Sequence, residues 1–279
     1  MFLPPKVSHC RTTITSDITM RKAIYIIGIA LLMAACSHIA EDEQLIEVAV
    51  DDMPTNEIMR NVLLEDFTGQ RCVNCPKAAE IIHQLEEAYG DRFIPVGIYW
   101  EPKPVPNGLA TETGKEYFSN WNVEAQPAGL VGRHGAISYI PNDWIGLVRD
   151  EIQRTADIEM LAEATLNDKQ IDITITETSQ QNAVSGKLQV WIIEDGIVAT
   201  QLMPDGSANK DYVHNHVFRT AVNGTWGDDI TIGAGTTLTQ TFHQAIDSQW
   251  DTTKLSVVAF VYNDKGIEQA VKKEVTYTK

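Results

Sequence analysis

The hydrophobic pattern of this chain changes its period near residue 160, and this change constrains the fold more than any other feature. Before it, short apolar runs alternate with segments whose apolar residues recur every three to four positions, the spacing of an amphipathic helix. After it, only short alternating runs remain, separated by clusters of Gly, Asn, Asp and Ser. The pattern predicts an α/β region followed by an all-β region.

The first region is predicted to contain strands and helices in the order strand, helix, strand, helix, strand, strand, helix. The predicted elements are strand 61–67, helix 73–89, strand 92–100, helix 113–121, strands Ala128–Val131 and 136–140, and a helix that begins at the cap signal 141–143. This order joins a parallel βαβ half to an antiparallel half.

The second region is predicted to be a β-sandwich, of which the immunoglobulin-like arrangement is one form. Its candidate strands are 170–176, 187–194, 198–203, 216–221, 229–232, 237–243, 255–262 and 270–276. Many short strands with turn signals at this spacing are typical of two packed sheets.

The N-terminal segment has the features of a bacterial signal peptide. The basic start Met20-Arg21-Lys22 precedes the apolar run 23–35 and then Cys36. That run is shorter than the about 20 residues that span a bilayer, and it suits a signal-peptide core of about 7 to 15. The small residues before Cys36 resemble a lipobox, which implies that Cys36 is lipidated. Residues 1–19 fit no part of this signal pattern, so Met20 is the predicted start.

These features divide the chain into four predicted segments. They are a leader with the signal peptide at 1–35, an acidic linker at 36–60, a first domain at 61–158 and a β-sandwich domain at 159–279. The chain has 38 acidic and 22 basic residues and a formal charge of −16. Such a charge argues against nucleic-acid binding, because phosphate contacts require basic side chains.

Cys72 and Cys75 are the two cysteines left for thiol chemistry, since Cys10 lies in the leader and Cys36 is the predicted lipid site. They stand between a predicted strand and a predicted helix, where helix N–H groups favour a thiolate. Spacing of three residues lets Cys75 resolve a mixed disulfide formed at Cys72. A structural disulfide and a metal site are the alternatives, but zinc needs four ligands and no second CxxC pair exists. We predict no metal and no cofactor.

The segment around the cysteines resembles the thioredoxin superfamily. Asp66-Phe67 precedes Cys72 by the interval that separates the buried Asp-Phe pair from the CxxC motif of thioredoxins. The resemblance covers about residues 60–157. It implies a thioredoxin-like fold for this region and a proton-transfer role for Asp66, although an ordinary strand-end carboxylate is the alternative.

Pro127 is the second point of resemblance, because it precedes a strand where that superfamily has a cis-proline facing the CxxC motif. The resemblance implies that the Gln126–Pro127 bond is cis and that Pro127 contacts bound substrate. Arg71 and a longer loop at 101–110 depart from the superfamily pattern.

The mature chain also resembles the Omp-twenty-eight family of Bacteroidetes outer-membrane lipoproteins. The similarity lies in Asp66-Phe67-Thr68-Gly69, in the CxxC motif with Pro76, and in Tyr212-Val213-His214-Asn215-His216-Val217. It implies a cell-envelope protein anchored by lipid to the outer membrane. We expect His214 and His216 to have hydrogen-bonding roles rather than to form a metal pair.

Two functions are consistent with these features. The first is an envelope thiol–disulfide oxidoreductase in which Cys72 attacks and Cys75 resolves, with Asp66 and Pro127 assisting. Its partners would be protein thiols or disulfides of the envelope, and the lipid anchor would bind the membrane. The second is a surface binding or adhesion lipoprotein that uses the thioredoxin-like fold as a scaffold. The sequence leaves open whether the protein is an enzyme.

Overall fold

A computed structural model describes residues 57–103, 105 and 108–277 of the chain. The predicted leader, the lipid site at Cys36 and most of the acidic linker lie outside these residues. Within the described ranges, no helix has the length and apolar character needed to cross a bilayer.

The described residues are mostly β-structure with few helices, as the sequence predicts for a β-rich chain. The helices are α1 Cys75–Tyr89, α2 Glu112–Asn120 and α3 Pro141–Ile152. The strands up to residue 156 are β1 Ile58–Met59, β2 Val62–Thr68, β3 Phe93–Tyr99, β4 Ala128–Val131 and β5 Thr155–Ala156. The later strands are β6 Ile158–Asn167, β7 Gln170–Ser179, β8 Val184–Glu194, β9 Ile197–Leu202, β10 Ala208–His214, β11 Val217–Ala221, β12 Asp228–Ile232, β13 Thr237–Ala245, β14 Leu255–Asn263, β15 Gly266–Glu274 and β16 Thr276–Tyr277.

The largest sheet contains strands from both halves of the chain. Its order is β15, β14, β8, β11, β3, β2 and β4, and β12 also pairs with β8. β2 and β3 are parallel, and β11 adds to β3 in parallel through the pair Val217 and Gly97. Strands from both sides of residue 158 therefore lie in one sheet, and the predicted division into two domains at that residue stays a prediction.

The two faces of this sheet are covered differently. One face has a continuous aromatic-rich layer, which α2 covers with Tyr117 and Phe118. The other face packs against α1 and α3 where Val62 and Leu64 project from β2. Over β8 and β14 that second face packs against a four-stranded sheet with the order β13, β7, β6, β16.

Strand β7 shows why the second region forms a sandwich. Its isoleucines, at positions 171, 173 and 175, are buried between the sheets, while the alternate residues Asp172, Thr174 and Thr176 face outward. Alternation with a period of two matches the pleat of a strand with one buried face. The predicted β-sandwich architecture is thereby confirmed.

The largest differences from the predicted elements are at three places, and the two-residue strands β1 and β5 were also not predicted. The predicted strand 136–140 is reduced to one bridge between Ser138 and Gly129, because the chain turns at Gly135 and starts α3 at Pro141. β6 was not predicted, since its Ala, Glu, Met and Leu residues are good helix formers. β10 was not predicted either, because most of its residues are polar and exposed.

Candidate functional site

Cys72 and Cys75 form a disulfide at the start of α1. The S–S distance is 2.07 Å and the Cα atoms are 5.4 Å apart. Helix α1 begins at Cys75, two residues later than the predicted position 73, and Pro76 occupies its first turn, where no intrahelical N–H bond is lost. The Cys75 N–H donates to Cys72 O at 3.3 Å, and the Cys72 N–H donates to Gly69 O at 3.1 Å, so the loop is held by its own backbone.

The two sulfur-bearing residues differ in access. Cys72 lies at the surface and is partly exposed, whereas Cys75 is only 5% exposed. Cys72 is therefore the more accessible of the two residues, and Cys75 is buried.

Asp66 lies near the end of β2, in a cavity of about 160 Å³ that Cys75 also lines. The side chain is buried, with 6% exposure, and its Oδ1 has no hydrogen-bond partner among the described residues. Burial raises the pKa of Asp66 to about 7, against a smaller lowering by the positive charge of His216. The cavity therefore holds a carboxyl that can change its protonation near neutral pH.

Pro127 lies on the other side of the CxxC loop. The Gln126–Pro127 bond is cis, as predicted. Pro127 is buried and, together with Asn74 and Tyr139, lines an open groove of about 700 Å³. The structure thus brings both groups that the resemblance implied close to the disulfide loop, Asp66 on its inner side and Pro127 beside the groove.

The side chain of Gln126 ties this proline loop to the sheet. Its Nε2 donates to Thr68 O at 2.8 Å and to Trp100 O at 2.9 Å, at the ends of β2 and β3. A Cβ at Gly69 would lie 2.7 Å from Gln126 Oε1 and 2.8 Å from Glu101 Oε1, so the ends of these two side chains would have to shift to accommodate it. The sequence analysis named Gln126 only for its peptide bond to Pro127 and assigned no role to its side chain.

The β9–β10 hairpin covers the CxxC loop, although it belongs to the second half of the chain. Gln201 Nε2 donates to Cys72 O at 2.9 Å, and the Leu202 N–H donates to Gln70 O at 2.8 Å. Gln70 in turn donates to Thr200 O at 3.0 Å. The local sequence does not predict this contact, because the alternating pattern of a strand does not show whether a glutamine in it is buried or exposed.

His214, at the end of β10, reaches the same cavity as Asp66. Its Nδ1 is 3.0 Å from Tyr99 Oη, and its Nε2 is 3.3 Å from Ala199 O. Burial lowers the pKa of His214 to about 4, so the ring is neutral at neutral pH. The hydrogen-bonding role expected for this histidine matches these contacts.

His216 also lines the cavity but is paired with acids. Its Nε2 is 3.0 Å from Glu86 Oε1, and its Nδ1 is 3.2 Å from Asp195 Oδ1. Burial lowers the pKa of His216, but the two acids outweigh this and raise it above its ordinary value. Among the residues that the structure describes, no group of three or more His, Cys, Asp and Glu side chains could hold a metal ion.

Comparison with known proteins gives one family match and matches to solved structures. The family described as outer membrane protein Omp28 matches residues 114–279, which excludes both cysteines of the disulfide. HBP35 of Porphyromonas gingivalis shares the fold with a TM-score of 0.62 and 18% identity, over 78% of this chain and 76% of that chain. A domain of the outer membrane lipoprotein Omp28 from the same organism aligns with 44% of this chain and 92% of its own, at 21% identity and a TM-score of 0.34.

No curated protein sequence matches the chain. The family match nevertheless covers more than half of it and includes the strands of the sandwich and the β9–β10 hairpin. The chain therefore belongs to the Omp28 family of outer membrane proteins, which places it at the outer membrane of the cell envelope.

Proposed function

We propose that this outer membrane protein is a thiol–disulfide oxidoreductase that acts through Cys72 and Cys75 on protein thiols or disulfides of the envelope. The observation that carries the proposal is the position of the pair: the accessible Cys72 and the buried Cys75 meet at the start of α1, directly over the cavity of Asp66. Disulfide exchange needs one sulfur open to substrate and a second sulfur close enough to displace it.

We also infer that residues 61–158 have a thioredoxin-like arrangement. The parallel pair β2 and β3, the antiparallel β4 and the helices α1 and α3 on one face support this interpretation. We further propose that Cys36 carries the lipid anchor, which would hold the site close to the membrane.

The proposed reaction starts from the reduced protein. The Cys72 thiolate attacks one sulfur of a substrate disulfide, and the other substrate sulfur leaves as a thiolate that takes a proton from solvent. The Cys75 thiol then gives its proton to the Asp66 carboxylate and attacks the Cys72 sulfur. The second substrate sulfur leaves as a thiolate and takes a proton from solvent, and Asp66 returns the Cys75 proton to solvent. The substrate gains two electrons and two protons, and the protein ends with the Cys72–Cys75 disulfide that the structure contains.

The test combines thiol reactivity with turnover. In reduced Cys75→Ser protein, we expect Cys72 to react with iodoacetamide with a titration midpoint below pH 7, because helix N-termini and nearby cations lower thiol pKa values to roughly 3.5 to 7.5. The wild type should reduce insulin disulfides with dithiothreitol as the electron source. Cys72→Ser should abolish this activity, and Val73→Ala, at the exposed neighbour, should keep it.

A Cys72 midpoint near the about 8.5 of a free thiol, together with no turnover above the dithiothreitol background, would contradict the proposal. The binding or adhesion function, with the cysteine pair as a structural disulfide, would then replace it.

A further inference from the structure

The hydrogen bonds of His214 fix the direction in which the Tyr99 hydroxyl donates. The Ala199 carbonyl oxygen can only accept, so His214 Nε2 must carry the ring proton in the contact of 3.3 Å. In a neutral imidazole the other nitrogen, Nδ1, then has a lone pair. The contact of 3.0 Å between Nδ1 and Tyr99 Oη is therefore a bond in which the tyrosine donates.

Tyr99 and Asp66 line the same cavity and interact electrostatically. Both are buried, and Asp66 Oδ1 has no hydrogen-bond partner in the described part of the chain. Burial raises the pKa of Tyr99 well above its ordinary value, and the negative charge of Asp66 raises it further. A hydroxyl group has one proton, so a tyrosine that donates to His214 can only accept from other groups in the cavity.

We propose that His214 is a positioning residue for Asp66, because it accepts the hydrogen bond that the Tyr99 hydroxyl donates and leaves only lone pairs of that oxygen for the cavity. A protonated carboxyl can donate to such an oxygen, directly or through water, whereas a carboxylate cannot. The arrangement therefore favours the protonated form of Asp66. This inference rests on the proposed function, in which Asp66 accepts the proton of Cys75.

The consequence is that the second half of the chain takes part in the chemistry of the first. His214 belongs to β10, and Tyr99 and Asp66 belong to β3 and β2. Other titratable groups also face this cavity or its lining. They are His83 and Glu86 of α1, Tyr212 of β10, and His216 with its partner Asp195. The variants described below leave these groups unchanged. Their contributions to the pKa of Asp66 are therefore the same in each pair of proteins that is compared.

The experiment measures the pKa of Asp66 in the oxidised, full-length protein by carboxyl ¹³C NMR, with the Asp66 signal identified by its loss in Asp66→Asn. His214→Phe removes the acceptor and frees the Tyr99 hydroxyl to donate to the carboxylate. We expect the pKa of Asp66 to fall, with about a tenfold loss of proton affinity, the size of one hydrogen bond. His214→Asn keeps an acceptor oxygen close to the Nδ1 position and should restore most of the proton affinity.

Two further variants make the result specific. His243→Phe, at an exposed histidine of β13, is the matched control and should leave Asp66 unchanged. In a Tyr99→Phe background, His214→Phe should have no further effect, because the hydroxyl that it acts through is absent. If the Phe side chain prevents folding, His214→Leu replaces it with a smaller apolar group.

An Asp66 pKa that stays unchanged or rises in His214→Phe would overturn the inference, as would a fall of equal size in the Tyr99→Phe background. The measurement needs no substrate and no turnover. Failure of the insulin assay therefore counts against the proposed function alone, and failure of the NMR titration counts against the role of His214 alone.

Discussion

Glu65 and Asp66 are consecutive acids on β2, and the sheet places them on opposite faces in opposite electrostatic situations. Glu65, with 0% exposure, accepts two hydrogen bonds of 2.9 Å from Arg133. The guanidinium of Arg133 lies 4.8 Å from the ring centroid of Phe260 and 4.4 Å from that of Tyr262. Asp66 lies on the face that packs against α1 and α3. Its Oδ1 has no hydrogen-bond partner among the described residues, and burial raises its pKa to about 7.

The comparison shows how partners decide what a buried carboxyl can do. In the aromatic layer, Arg133 neutralises Glu65 and uses both of its oxygens, so this acid serves the fold. In the cavity, no cation of the described residues forms an ion pair with Asp66, and its proton can leave and return near neutral pH. Glu177 of β7 also has its pKa raised to about 7 by burial, yet it does not line the cavity of Cys75. The neighbouring thiol, rather than the raised pKa alone, distinguishes Asp66.

The largest effect on stability is expected from breaking the ion pair between Arg133 and Glu65 in the aromatic layer. Arg133→Ala leaves the Glu65 charge buried without a partner, and removal of one member of a buried pair costs about 3–5 kcal/mol. Urea denaturation should show this loss in the free energy of unfolding. Arg149→Ala is the control, because Arg149 pairs with Asp150 at the surface, where such pairs contribute about 0–1 kcal/mol. A loss below about 1 kcal/mol in Arg133→Ala would show that Glu65 does not depend on this pair.

The next effect is the contribution of Asp66 to the pH dependence of the free energy of unfolding. The folded-state pKa of Asp66, about 7, lies above the about 3.9 of an unfolded aspartate, so the folded protein holds this proton more tightly. The resulting stabilisation is complete at low pH and is lost as pH rises through the folded pKa. From pH 5 to 7, the oxidised wild type should lose about 2 kcal/mol relative to Asp66→Asn. Parallel curves for the two proteins, in urea unfolding at pH 5, 6 and 7, would exclude a raised Asp66 pKa.

The smallest effect on stability is expected from the contact between the β9–β10 hairpin and the CxxC loop. Gln201→Ala removes the hydrogen bond to Cys72 O, and we expect a loss of about 1 kcal/mol. Amide hydrogen exchange at Leu202, whose N–H is bound to Gln70 O, should become faster. Gln84→Ala, at an exposed position of α1, is the matched control and should change neither quantity. Equal exchange rates in the two variants would mean that Gln201 does not hold the hairpin.

Local features of the sequence were sufficient for much of the fold. The strand before the cysteines and the helix after them follow from hydrophobic period and from Pro76, and β4 was predicted at its observed bounds. The cis bond before Pro127 and the buried position of Asp66 followed from the resemblance of a short motif. Such features are readable because the residues that determine them lie within a few positions of one another.

The sequence by itself determined where strands, helices and the cysteine pair lie, and it determined the acidic, β-rich character of the second half. Only the tertiary structure decided which of these elements meet. Tyr99 and His214 are 115 positions apart, and Gln201 and Cys72 are 129 apart. The sequence near each of these residues does not specify its partner. The pairing depends on how whole sheets pack, and on which buried polar groups still need a hydrogen-bond partner once water is excluded.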